Sequence, residues 1–159
     1  MAFLLIVIII IAFCLFSLLT RKRKKQELKR VIKSFKQSEK ELDRMEMDAK
    51  IEEIGANIRC VVLSTMDLIN SPYPYVLKRE IPFIKVSHKN VLEAFNTSLY
   101  KKAVDFAYHD IFDSLDSVEG YKSFFHEYTQ APTNYTLNII KEAIPKEYQD
   151  GLDSNLFEL

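Results

Sequence analysis

The feature that most constrains this chain is its first nineteen residues. They read MAFLLIVIIIIAFCLFSLL, with Ser17 the only clearly polar side chain. A helix of that length reaches roughly 28 Å, about one bilayer hydrocarbon core. In a water-soluble fold such a helix would have to be buried on every side, a heavy demand on the 140 or so residues that follow. The expectation is a transmembrane helix over residues 1–20. The alternative is a cleaved signal peptide, which wants positive charge before the apolar run and small residues at a cleavage site. Here no Lys or Arg precedes the run, and the basic cluster Arg21, Lys22, Arg23, Lys24 and Lys25 follows it. Positive charge collects on the cytoplasmic side of a span. The expected topology is single-pass, with the N-terminus outside and the body in the cytoplasm. On that topology the sequons at Asn96 and Asn134 go unused, Cys60 is reduced and Cys14 is an apolar filler.

Charge is the second organising feature. The totals cancel, with 22 basic and 22 acidic side chains, but they are segregated. From Arg21 to Lys36 there are nine basic side chains and one acidic, Glu27. Residues 37–54 hold seven acidic and three basic. The basic collar reads first as a stop-transfer segment whose lysines reach lipid headgroups. A sharper reading is attraction of anionic lipid by Arg21, Lys22, Arg23, Lys24 and Lys25. A third is sequence-blind contact with nucleic-acid phosphates. Phe35 is the single aromatic between residues 21 and 70, so base stacking has little to work with. The acidic excess of residues 71–159 also counts against nucleic acid.

Residues 21–69 contain no proline and one glycine, Gly55. Leu28, Val31, Phe35, Leu42 and Met45 recur at heptad spacing, with Ser38 filling one slot and Ala49 extending the series. This predicts an amphipathic helix whose seam self-associates or packs on a partner. Both a parallel coiled coil and one helix laid along another protein fit the spacing. From Ile51 the apolar stripe widens through Ile54, Ile58, Val61, Val62, Met66 and Ile69, as a core-facing helix requires. Gly55 either kinks that helix or admits a close neighbour. The helix is expected to end near Asn70, before Ser71-Pro72-Tyr73-Pro74-Tyr75.

Beyond it, residues 77–86 read as a linker because of Pro82, with a short strand at residues 83–86 as the alternative. Asn90, or else Ser87, caps a helix over 90–116. Further helices are expected over 118–129 and from Thr133 or Asn134 to Ile144, each stopped by proline. The tail Gly151–Leu159 is expected to be peripheral. The expected fold class is all-α: a transmembrane anchor (1–20), a basic collar and amphipathic or coiled-coil stalk (21–50), and a small cytoplasmic helical bundle (51–159). All eight tyrosines and seven of eleven phenylalanines lie beyond residue 70. That exceeds what so small a core needs and suggests that some tyrosines face a partner.

Chemistry-bearing motifs are sparse. Three glycines exclude a Gly-rich phosphate loop, and two cysteines 46 residues apart make neither a disulfide scaffold nor a C-x-x-C site. Asp105, His109 and Asp113 share a helix face, but the di-metal pattern of Glu-x-x-His pairs is missing. They read as surface charge pairing. His126 beside Glu127, and His88 near a helix start, read the same way. No G-x-S-x-G elbow surrounds any serine. The expectation is therefore a non-enzyme with no catalytic, cofactor or metal residues. The best functional reading is a membrane-anchored adaptor or scaffold that tethers an unidentified protein partner, with membrane lipid as a second contact and a homo-oligomer as one form. The alternatives are a membrane-located non-specific nucleic-acid organiser and a small accessory subunit of a larger membrane complex.

Overall fold

The computed structural model describes residues 2–113, 119–149 and 151–159, with the side chains of residues 1–20 excluded. Every regular element among the described residues is helical. The chain divides into two compact units, Met1–Glu46 and Met47–Leu159. The expected span falls on residues 1–20 and so lies outside the described side chains. Among the described residues, no helix is long and apolar enough to cross a membrane.

One helix, α1 (Ala2–Asn70), runs through both units. It is long because nothing in it breaks: no proline and a single glycine before Ser71-Pro72. In the N-terminal unit, residues 21–46 are exposed throughout. Arg44 donates to Glu41 at 2.8 Å, an i,i+3 pair on an exposed face.

The bundle is built on the second part of α1. Ile58, Val61, Val62, Thr65 and Leu68 are buried at the spacing of one helix face. Against them pack α2 (Pro74–Ala94), α3 (Tyr100–Phe112) and α4 (Glu119–Gln130), followed by a 3₁₀ turn (Pro132–Asn134) and the short helices α5 (Asn138–Ala143) and α6 (Lys146–Gln149). Arg59 of α1 bonds Asp110 of α3 at 3.0 Å, and Tyr121 of α4 donates to Asp67 of α1 at 2.7 Å.

The sequence expectations need correction at four places in the bundle. The first is the helix expected from Thr133 or Asn134: Pro132–Asn134 is a 3₁₀ turn, Tyr135 is extended, and the α-helix begins only at Asn138. Residues 77–86 are not a linker or a strand, and no helix starts at Ser87 or Asn90. They lie inside α2, which begins with Pro74 at its first turn, where the missing N–H costs nothing. Pro82 sits mid-helix on the solvent side. The Lys78 carbonyl that loses its i,i+4 donor belongs to an exposed residue on the solvent side. The opposite face carries Leu77, Ile81, Ile84, His88 and Val91, all buried. That stripe outweighs the cost of one proline. Asn90 instead donates its side-chain amide to Asn57 across to α1 at 3.2 Å.

The expected single helix over 90–116 is two. It breaks after Ala94, whose carbonyl accepts from both the amide and the hydroxyl of Thr97, and α3 begins at Tyr100. Its expected end falls on residues 114–118, outside the described ones. The tail is not peripheral either. A 3₁₀ turn (Ser154–Phe157) sets Phe157 into the core, and Lys85 of α2 donates to the Asn155 carbonyl at 3.1 Å. Gly55 resolves toward close approach. A Cβ there would stand 2.6 Å from Cδ1 of Phe106 and 3.3 Å from the Ala103 carbonyl, so α3 crosses α1 where a side chain is missing.

Candidate functional site: an exposed seam and a polar-centred bundle

The N-terminal unit offers a surface. Leu28, Val31, Phe35, Leu42 and Met45 all lie on α1, and all are exposed, Phe35 by 75% and Leu42 by 67%. Ile32 widens the stripe and is exposed too. Ser38, the polar residue of the seam, turns its hydroxyl to the Ser34 carbonyl at 3.1 Å, and Ser34 does the same to Val31 at 2.8 Å. Both hydroxyls thereby spend their donors on the backbone of their own helix. Arg21, Lys22, Arg23, Lys24 and Lys25 precede the seam and are exposed. The helix thus presents a row of cations followed by a row of apolar side chains, both open to solvent.

The bundle holds a polar centre that sequence reasoning missed. His88 is not a surface histidine. It is 3% exposed, and its Nδ1 shares a 3.0 Å hydrogen bond with the Tyr128 hydroxyl. Tyr135 packs its ring on His88 at 4.8 Å between centroids, and its hydroxyl shares a 2.8 Å bond with Thr65. Tyr100 donates to the Thr129 carbonyl at 3.1 Å, and Thr129 donates to Phe125 at 2.7 Å. Thus α1, α2, α3, α4 and the segment after the 3₁₀ turn meet through hydrogen bonds as well as apolar contact. Among the described residues no buried side-chain polar atom lacks a partner.

Burial sets the protonation of this centre. It lowers the His88 pKa below its ordinary value, favouring the neutral ring. It raises Tyr100 and Tyr135 to about 12 and pushes Tyr128 higher still. At neutral pH the imidazole and all three phenols are uncharged. The His88–Tyr128 pair is a bond between neutral groups in a packed interior, and its direct contribution is to hold α2 on α4. The signal that could have found it is periodicity. Once α2 is read through Pro82, His88 falls on the stripe from Leu77 to Val91.

The other candidates sit at the surface. Nδ1 of His109 lies 3.4 Å from Asp113, both side chains more than two-thirds exposed, as expected of surface charge pairing. Among the described residues no group of three or more His, Cys, Asp or Glu side chains is placed to hold a metal ion. His126 is exposed. The tyrosines divide. Tyr100, Tyr128 and Tyr135 are core, Tyr108 and Tyr121 are half-buried, and Tyr73, Tyr75 and Tyr148 are exposed. Tyr75 shares the outer face of α2 with exposed Pro82, Phe83 and Val86, at the i, i+7, i+8 and i+11 positions of one helix side. Next to Val86 a shallow cleft of ≈ 570 Å³ is lined by Lys85, His88, Lys89, Leu92 and Tyr135.

Comparison with protein-family models, with curated proteins and with solved structures gives no match for this chain.

Proposed function

We propose that this chain is a single-pass, membrane-anchored helical adaptor or scaffold that tethers a partner protein at the cytoplasmic membrane face. The observation that carries the reading is the exposed apolar seam from Leu28 to Met45, directly after the cationic row Arg21–Lys25. A contiguous run of large exposed apolar side chains on one helix face marks a contact surface. The order of features supports the rest: an apolar run long enough to span, a collar of the charge that stays on the cytoplasmic side, then an association face.

Anchoring confines the protein to two dimensions and raises the effective concentration of whatever the bundle holds. The collar makes the lipid contact, and each Lys or Arg near an anionic surface is worth up to about 1 kcal/mol. The bundle contributes the outer face of α2, where Tyr75, Phe83 and Val86 lie exposed. Tyrosine and phenylalanine suit such a surface because they bury large areas at small entropic cost.

The test is vesicle flotation and mild-detergent extraction of the tagged full-length chain, with native mass determination of what co-extracts. Flotation with the lipid, resistant to alkaline carbonate, together with a discrete co-extracted protein is the expected result. A chain released by carbonate would overturn the anchor. Labelling of an introduced Glu158→Cys from the outer side would overturn the topology. Sequence-independent capture of duplex DNA that falls steeply with salt, with no protein partner, would replace this reading with the nucleic-acid organiser.

A further inference from the structure

The apolar seam of α1 has borders of one sign and an outer side of the other. Leu28, Phe35 and Leu42 alternate along it with Val31, Ser38 and Met45. The heptad positions that border this seam hold Glu27, Ile32, Ser34, Glu39, Glu41 and Glu46, with no Lys or Arg among the six. The cations of the same stretch, Lys29, Arg30, Lys33, Lys36, Lys40 and Arg44, all fall on the outer positions, where Asp43 is the single acid. All of these side chains are exposed. Arg44 reaches from the outer side to Glu41 at 2.8 Å, but both stay more than half exposed, so Glu41 still presents charge to a neighbour. The basic excess around the collar thus hides the acidic sign of the face that a partner meets.

These borders select among occupants. Where two helices pair along a seam, bordering residues of one lie beside those of the other, and opposite signs attract. A second copy laid parallel sets Glu41 beside Glu46 of that copy, twice by symmetry, and leaves Ser38 against Ser38. A second copy laid antiparallel, in the register that matches the seam, sets residues 54–70 beside residues 3–19 of the other, the stretch read above as the span. A helix of another protein with Lys or Arg along its own apolar stripe meets neither obstacle. The outer cations of α1 do not oppose it. They sit across a helix about 10–12 Å wide with its side chains, more than the Debye length of about 8 Å at physiological salt. Ser38 has its hydroxyl bonded to the Ser34 carbonyl, so this smallest seam position takes a large apolar side chain from the partner without leaving a polar group unpaired.

We propose that residues 27–46 of α1 dock an amphipathic helix of a different protein, one whose apolar stripe is bordered by Lys or Arg. The acidic border Glu39, Glu41 and Glu46 selects that helix over a second copy of this chain. The inference deepens the adaptor reading above by giving the partner its chemistry, and it rests on the association face of that reading. The seam from residue 28 to 45 offers the partner about 26 Å of helix.

The probes are two synthetic three-heptad peptides with Leu and Ile at the seam positions, one bordered throughout by Lys and the other by Glu. A scrambled version of the Lys-bordered peptide is the third. Each is titrated by fluorescence anisotropy against the full-length chain in neutral detergent at physiological salt. The Lys-bordered peptide should bind roughly tenfold or more tightly than the Glu-bordered one, since each border contact turns from repulsion to attraction. The triple variant Glu39→Lys, Glu41→Lys, Glu46→Lys should reverse the order. Asp43→Lys, a change of the same charge on the outer side, should shift neither affinity by more than about twofold. Equal binding of the two peptides, or an order that the triple variant leaves unreversed, would overturn the proposal. So would a scrambled peptide that binds as well as the ordered one, since that is attraction to acidic charge without a seam. A wild-type chain that sediments as a dimer, and as a monomer after Leu42→Ala, would give the face to a second copy and overturn it too. Flotation reads the anchor separately. A chain released by carbonate that keeps the peptide preference overturns the anchored reading and leaves the docking face standing. A floating chain without the preference overturns the docking face alone.

Discussion

Two stretches of α1 carry the same kind of pattern and meet opposite fates. From Leu28 to Met45, apolar side chains recur at helical spacing and every one is exposed. From Ile58 to Leu68, they recur at nearly the same spacing and Ile58, Val61 and Val62 are wholly buried. The backbone is helical in both, so the difference lies in what each face meets. In the bundle α2, α3, α4, α5 and the two 3₁₀ turns supply the rest of the core that this face joins. The comparison teaches that periodicity identifies a face that needs covering and says nothing about whether the cover belongs to the same chain. Stripe width gives a hint. The buried stretch is broadened by Ile51, Ile54, Leu63 and Ile69, all packed on the core, while the exposed one stays close to the narrow two-in-seven seam of helices that pair.

That contrast can be broken or sharpened by matched changes on the two stretches. The largest effect should come from Leu68→Ala, which removes a side chain 2% exposed and leaves a cavity. The expected loss is about 2–5 kcal/mol of bundle stability, measured by urea unfolding.

Titration of the polar centre should follow. Tyr100 and Tyr135 have folded values raised to about 12, above the ordinary 10. Between pH 10 and about 12 the unfolded chain releases protons that the folded one keeps, so stability is full below pH 10 and falls as pH rises through that window. His88 acts at the other end. Its folded pKa lies below 6.5, so the unfolded chain takes up a proton first and stability falls as pH drops below 6.5. Thermal melts across pH should show both limbs. A His88→Gln chain that keeps the acid limb unchanged would assign it elsewhere.

Next in size is Gly55→Val. Its Cβ would meet the Phe106 ring at 2.6 Å, and the expected cost is about 1–3 kcal/mol. Phe106→Ala in the same chain should recover part of it, since the ring is the nearer obstacle and is itself partly exposed. Additivity of the two changes would mean that the helix crossing does not depend on that contact. Thr65→Val keeps the shape and leaves the Tyr135 hydroxyl without its 2.8 Å partner, at an expected 1–2 kcal/mol, about the cost of one orphaned buried group. The smallest effect should be Leu42→Ala, the counterpart of Leu68→Ala on the exposed stretch. Bundle unfolding at low protein concentration should change by less than about 0.5 kcal/mol. The same variant should bind the Lys-bordered helix peptide more weakly, which separates a face that packs within the chain from one that packs between chains.

How much of this was legible depended on whether the signal was local. The end of α1 at Asn70 was readable because Ser71-Pro72-Tyr73-Pro74 stops a helix by backbone chemistry alone. The stop of α4 before Pro132 was readable for the same reason. The course of α2 was not. Pro82 is a breaker by local rule, and only the burial of Leu77, Ile81 and Ile84 on the opposite face shows why it is tolerated. His88 was misplaced with it, because a histidine is assigned to the surface by default until the helix beneath it is known. Phe157 was misplaced because its cover comes from residues far away in sequence. Of the candidate site, the seam residues and the basic collar could be named from spacing and charge. The polar centre of His88, Tyr128, Tyr135 and Thr65 could not, since it joins residues up to 70 apart.

By itself the sequence determined the all-helical character, the end of α1 at Asn70, the apolar faces and the reversal of charge between residues 21–36 and 37–54. These follow from backbone preferences and from side chains a turn or two apart, which interact whatever the rest of the chain does. The tertiary structure decided which apolar face became a core and which stayed open, that a proline could sit inside α2, and that one histidine would be buried and neutral. Those outcomes turn on the free energy of covering a surface, and that depends on which distant residues arrive to cover it.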